Sequence, residues 1–226
     1  MKAIRSRRLL ALPAFLAGFL SLSITSTAAG GTALCEIEAG AVMARYTREF
    51  DPPGYDFPAR IGAHFGFGLV APVTDQLAIR SGLAYERKGA KAEGDLKAFD
   101  GSSNEDGWTH HSSDRLDYMV LSVALRATQQ GRVRPYIVVG PEVAFLVSSR
   151  QHSVLERGAH REIRDRSLDS TTRSIDVGLS MGAGLRTAHE PCLYGELRYV
   201  HGLLDITEGP YHTSNRAFVG LLGVAF

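Results

Sequence analysis

Residues 173–187 read RSIDVGLSMGAGLRT, and the two sides of this stretch cannot face the same surroundings. Taken alternately, one side carries Ile175, Val177, Leu179, Met181, Ala183 and Leu185. The other carries Ser174, Asp176, Gly178, Ser180, Gly182, Gly184 and Arg186. Period two is the mark of a β-strand. A soluble barrel buries its bulky apolar side and shows charge to water, whereas a membrane barrel does the reverse. The glycines decide between them. They share a side with the charges, where a narrow interior needs room for long polar side chains; a water-facing surface has no such need. We read the charged, glycine-rich side as a lumen and the bulky side as facing lipid.

The pattern recurs in about eight stretches, near 34–47, 57–71, 76–88, 115–127, 134–148, 172–187, 192–204 and 214–226. A tilted strand crosses an apolar band of about 25 Å with roughly 9–11 residues, which these stretches supply. In RPYIVVGPEVAFLV (134–147), Ile137, Val139, Val143 and Phe145 oppose Tyr136, Gly140 and Glu142. In QLAIRSGLAYERK (76–88), Leu77, Ile79, Leu83 and Tyr85 oppose Arg80, Gly82, Glu86 and Lys88. Gly62, Gly66 and Gly68 also fall on the lumen side. The connections alternate: APVTD, TQQGRVR and TAHEPC are short, whereas those near 47–56, 89–114, 150–172 and 205–213 are longer. This is the alternation of an up-and-down outer-membrane barrel, with short periplasmic turns and long outer loops. The expected fold is all-β: a single antiparallel up-and-down transmembrane β-barrel of about eight strands over 34–226. A soluble lipocalin-like barrel is the rival.

Composition agrees with an exported membrane protein. Lys and Arg number 25 against 24 Asp and Glu in 226 residues, a net charge of +1. Lys2, Arg5, Arg7 and Arg8 lie in the first eight residues, so the remainder is slightly acidic. Nothing here suits nucleic acid. The basic start, the apolar stretch LLALPAFLAGFLSLSI and the small residues TSTAAGG read as a secretory signal over 1–29, cleaved near Ala29. An uncleaved anchor or a twin-arginine signal are the other readings. A lipoprotein signal through Cys35 is disfavoured by Leu34 directly before it. No later segment has the ~18 apolar residues of a membrane helix, so insertion requires a closed barrel.

The parity places Glu36, Glu38, Glu86, Glu142, Asp176 and Glu196 in the lumen, with Arg60, Arg80, Lys88, Arg126, Arg186 and Arg198. Eight strands enclose a space that side chains just fill. Balanced charge in so narrow a space favours cross-lumen ion pairs, whereas a charge-selective pore shows one sign. A closed lumen is expected, and a narrow polar conduit is the alternative.

Other groupings are weaker. His110 and His111, near Glu105, Asp106 and Asp114, lie in a polar loop without fixed ligand spacing, so no metal site is expected. His201 sits on the lipid-facing parity without a nearby serine, and no catalytic motif occurs. Cys35 and Cys192 are the two cysteines. The compartment favours a disulfide, although the eighth strand should separate them by about 9–10 Å, beyond the ~7 Å a disulfide spans. Arg150, Arg157, Arg161, Arg164 and Arg166 make the loop near 149–171 basic. It suits lipopolysaccharide phosphates, with a plain solvated loop as the alternative.

The phrases SGLAYERKGA, LDYMVLSVALRA, RPYIVVGPEVAFLV, IDVGLSMGAGL, LYGELRYVHGLLDI and NRAFVGLLGVAF occur in an order that resembles the PorT-like, or "porin family", outer-membrane β-barrel proteins, from about Gly40 to Phe226. One departure is that a glutamate and a proline common in that family's fourth strand stand here as Val120 and Ser122. The resemblance implies an integral protein of the Gram-negative outer membrane. Phe218, Leu222, Val224 and the final Phe226 resemble the terminal signature read by the barrel-assembly machinery. The expected function is a non-enzymatic, monomeric barrel without cofactors, structural or surface-interacting, contacting outer-membrane lipid and lipopolysaccharide. A part in transport or protein secretion is the alternative, and a lipid-modifying enzyme is a third reading.

Overall fold

The computed structural model describes residues 32–48, 55–95, 109–157, 160–168, 172–206 and 213–226. The expected signal segment, and Glu105 and Asp106, lie outside them.

Eight long strands follow one another around a ring: β1 (Leu34–Arg48), β3 (Arg60–Pro72), β4 (Leu77–Lys88), β6 (Thr109–Thr128), β7 (Val133–Arg157), β9 (Ile175–Thr187), β10 (Cys192–Gly202) and β11 (Thr213–Ala225). Each pairs antiparallel with its sequence neighbour in this set, and β1 pairs with β11 to close the ring. Closure leaves no free edge, so every strand can satisfy its backbone groups within the ring. Three short strands, β2 (Tyr55–Asp56), β5 (Lys91–Asp95) and β8 (His160–Ser167), are added outside it.

Exposure settles which side meets lipid. Ile61 and Leu222 are each 74% exposed, while Glu36 and His64 are fully buried and Lys88 is 2% exposed. A soluble protein could not tolerate this inversion, because it would leave apolar side chains in water and enclose charges. Tyr118 is fully buried, inside the barrel.

The structure alters the expected strand limits on one wall. β6 has 20 residues and β7 has 25, about twice what the membrane requires. Their outer halves continue the sheet above the bilayer. β5 pairs with the outer part of β6, and β8 with the outer part of β7. The segments 91–95, 149–157 and 160–167 are therefore hydrogen-bonded sheet, not the loops that composition suggested. β8 is exposed along its whole length, so it lacks the one-sided burial that marks a strand in sequence. A bulge between Asp117 and Tyr118 of β6 leaves Val147 of β7 unpaired. The extra residue shifts the alternation of β7 above that point.

At the outer end of β4, Gly89 adopts φ +137°, and a Cβ there would lie 2.0 Å from the carbonyl oxygen of Asp114. This close approach fixes the corner from which β5 starts along β6.

Candidate functional site

The lumen is a continuous lattice of charge. Arg80 Nε donates to Glu36 Oε2 at 2.7 Å, and Arg126 donates to Glu36 Oε1 at 2.6 Å and Oε2 at 3.1 Å. Arg80 also donates to Glu38, whose Oε2 accepts from the Tyr194 hydroxyl at 3.0 Å. The Arg126 guanidinium stacks 4.7 Å from the ring centre of Tyr136. His64 joins the next layer. Its Nε2 lies 3.1 Å from Glu38 Oε1 and its Nδ1 3.0 Å from Glu86 Oε1. Lys88 Nζ is 2.9 Å from Glu86 Oε2 and 3.2 Å from Glu142 Oε1. Along the next wall, Arg198 pairs with Glu196, which also accepts from Tyr136 Oη at 2.9 Å. Asn215 Nδ2 donates to Asp176 Oδ2 at 3.1 Å.

The register explains how a narrow space holds these side chains. Tyr136 stands opposite Gly184, and Tyr194 opposite Gly223. Each ring lies over a glycine, and its hydroxyl reaches a carboxylate beyond. Strand alternation supplies one inward residue in two, and cross-strand neighbours share a side.

Ten of the twelve charged residues assigned to the lumen are buried within it: Glu36, Glu38, Arg80, Glu86, Lys88, Arg126, Glu142, Asp176, Glu196 and Arg198. Arg60 is a correction, whereas Arg186 keeps the lumen side, in register with Tyr194, at the mouth of the barrel and without a carboxylate partner among the described residues. Half-buried Arg60 donates from Nη1 to Ser113 Oγ at 3.0 Å and to the Asp114 carbonyl at 2.8 Å. It sits at the first residue of β3, where the strand has reached the outer rim. Arg186, near the periplasmic end of β9, donates to Cys192 Sγ at 3.2 Å. His64, Tyr194 and Asn215 join the lattice without carrying a fixed formal charge, which is why a charge pattern alone does not pick them out. Parity does: His64 shares a side with Gly62 and Gly66, and Tyr194 with Glu196 and Arg198.

The disulfide is a second correction, since Cys35 and Cys192 are both free. Their strands are separated by β11. Cys192 is in register with Ala225, while the Cys35 backbone exchanges hydrogen bonds with Phe226 at 2.8 and 3.0 Å. No inward bend removes the intervening strand.

On the lipid side, Phe218, Leu222 and Phe226 are exposed, and Val224 lies on the same face. Tyr199 packs against Phe218 with ring centres 5.1 Å apart. His201 faces outward beside Tyr199, whose hydroxyl is 3.5 Å from Nδ1. His110 and His111 are strand residues of β6 in register with β5, not loop residues.

Above the band, the arginines divide into two groups. Towards the tip of the β7–β8 hairpin, Arg161 pairs with Glu156 at 3.4 Å and Arg164 with Glu162 at 2.7 Å. At its base are exposed Arg150 and Arg166, for which no carboxylate partner occurs among the described residues. The Arg157 side chain lies outside the described residues. Just below, Asp117 is shared by Arg87 and Arg115, each at 3.0 Å, and accepts from Tyr85 Oη at 2.7 Å.

A closed ring with an inverted exposure pattern and a polar lumen agrees with the family comparison. Residues 29–208 match the family described as "Outer membrane protein beta-barrel domain". The chain belongs to this outer-membrane β-barrel family. It is an integral protein of the Gram-negative outer membrane. Comparison with curated proteins gives no match. Among solved structures, Ail, the attachment invasion locus protein of Yersinia pestis, is similar at 12% identity, covering 87% of this chain and 100% of Ail, with TM-score 0.43. Neisserial surface protein A is similar at 13% identity, with coverage of 87% and 100% and TM-score 0.42. OprG from Pseudomonas aeruginosa is similar at 9% identity, with coverage of 88% and 98% and TM-score 0.48.

Proposed function

We propose that this is a non-enzymatic, closed barrel whose specific role belongs to the sheet raised above the membrane by β5–β8, with outer-leaflet lipopolysaccharide as its partner. The observation that carries this reading is the lumen. Five of its six carboxylates are engaged by Arg80, Arg126, Lys88, Arg198 and His64, Asp176 by Asn215, and Tyr136 and Tyr194 span the gaps between them. A solute would have to displace buried, paired charges, which costs several kcal/mol for each one left unpaired. The bilayer-spanning surface is committed to lipid, so recognition falls to the outer extension. A hairpin built as continuous sheet presents its side chains in fixed positions, as a flexible loop does not.

Two measurements test this. Purified barrel in planar bilayers should show no steady conductance; reproducible, ion-selective channels would refute the closed lumen. Replacing residues 154–163 by a tight turn should leave a heat-modifiable, folded barrel that binds lipopolysaccharide more weakly. Unchanged binding would sink the part assigned to the hairpin tip.

A further inference from the structure

Arg115 of β6 stands directly opposite Arg150 of β7. Like charges directly opposite in an antiparallel pair are destabilising. Asp117 does not resolve the conflict, because it already serves both Arg87 and Arg115. Arg60 comes to the same place from β3. Its hydrogen-bond partners are neutral, and the charges of Arg115 and Arg87 act on it unfavourably, partly offset by Asp117. Together with Arg166, these arginines border a recess of about 640 Å³. The carboxylate in its lining is Asp165, which is 2.7 Å from His152 Nδ1. Four arginines from four strands thus line one hollow that, among the described residues, contains a single carboxylate; Arg115 and Arg150 share one face of the sheet, and Arg166, in register with Gln151, borders the hollow from the other face.

The position of the recess narrows the choice of ligand. Alternation along β6 puts Arg115 on the same side as Asp117 and Met119, the side that becomes lipid-facing lower down. The hollow therefore opens sideways, just above the level at which apolar residues give way to Tyr85, Arg87 and Asp117. A second like-charge pair occurs on the opposite wall: Arg45 of β1 is in register with Arg216 of β11, which is also in register with His201. These side chains too lie on the lipid-facing parity at the extracellular ends of their strands. The groups found at that depth are the headgroups of the outer leaflet.

We propose that the recess bordered by Arg60, Arg115, Arg150 and Arg166 binds the phosphate groups of an outer-leaflet glycolipid. A guanidinium fork matches two phosphate oxygens, and an anion between Arg115 and Arg150 turns their repulsion into a shared attraction. The volume suits a phosphorylated sugar headgroup better than a bare ion. The inference rests on the reading of the outer sheet as the contact surface. It places the site at the base of the hairpin, which the 154–163 replacement spares.

The test uses the full barrel in detergent micelles, with lipid A carrying or lacking its phosphates as the probe. Wild type should prefer the phosphorylated form, and R115Q/R150Q should lose about tenfold or more of that binding while remaining heat-modifiable. Should the double variant misfold, R150Q and R166Q, at exposed positions, give the same readout singly. Without lipid, R150Q should be at least as heat-stable as wild type, because a repulsion has been removed. Equal binding of phosphorylated lipid A by wild type and variants overturns the proposal. So does full competition by inorganic pyrophosphate together with indifference to the lipid, which would identify a soluble-anion site. Tip-replaced protein that still binds, alongside R115Q/R150Q that does not, refutes the role of the hairpin tip and supports this site.

Discussion

The ring of Tyr194 lies over Gly223 of the adjoining strand, where an added Cβ would come within 2.3 Å of Tyr194 Cζ. Tyr136 and Gly184 repeat the arrangement at 2.4 Å. Each glycine makes the space in which a tyrosine crosses the lumen to a carboxylate. G184V and G223V should therefore displace those rings and uncouple Tyr136 from Glu196 or Tyr194 from Glu38. Overpacking of this kind costs about 1–3 kcal/mol. At Gly220, on the lipid side, an added Cβ would meet nothing within 4 Å, so G220V should be close to neutral. Urea unfolding of the three variants checks this, and equal midpoints would refute the packing role.

Glu36 is the lumen carboxylate held by two guanidiniums. It accepts from both Arg80 and Arg126 and is fully buried. E36Q should destabilise the barrel by about 3–5 kcal/mol, since it leaves two buried guanidiniums without their shared counter-charge. Adding R126M to E36Q should cost less than the sum of the single changes, because the two residues are coupled. Additive losses in unfolding free energy would show that the pairing carries no energy.

His64 touches Glu38 through one ring nitrogen and Glu86 through the other, linking two layers of the lattice. A ring protonated at both nitrogens donates to both carboxylates. H64L should remove one partner from each acid, while Glu38 keeps Arg80 and Tyr194 and Glu86 keeps Lys88. It should therefore cost less than E36Q, about 1–3 kcal/mol, whereas H64Q, which keeps a single donor group, should recover part of the loss. If H64L and H64Q unfold together with wild type, the bridge is dispensable.

The barrel was legible in the sequence because strand alternation is strict and the two sides face opposite media. Asp176, Gly178 and Ser180 could be assigned inward without coordinates for that reason. The same rule extends to His64 and Tyr194, although neither carries the formal charge by which the other lumen residues stand out. The outer sheet was not legible. His160–Ser167 is exposed on both sides, so burial leaves no period in its sequence, and only pairing with β7 makes it a strand. The bulge at Val147 then shifts parity, so the meeting of Arg115 and Arg150 could not be obtained by counting. Cys35 and Cys192 erred in the other direction: compartment chemistry favoured a bond that the intervening strand prevents.

The seam between β1 and β11 separates two roles for Phe226. Its backbone amide donates to the Cys35 carbonyl and its carbonyl accepts from the Cys35 amide, which fastens the last pair of the ring. Its side chain is 58% exposed on the same side as Phe218 and Leu222 and contributes little to the lumen lattice. F226A preserves the backbone bonds and removes the ring. Refolding of F226A into detergent micelles, where no assembly machinery is present, should match wild type in yield and unfolding midpoint. In cells, the same variant should show a reduced heat-modifiable fraction in the outer membrane, because Phe226 belongs to the lipid-facing pattern of β11 that we propose the assembly machinery reads. Normal assembly in cells would remove that role from the Phe226 side chain. Poor refolding in micelles would assign it to the stability of the seam instead.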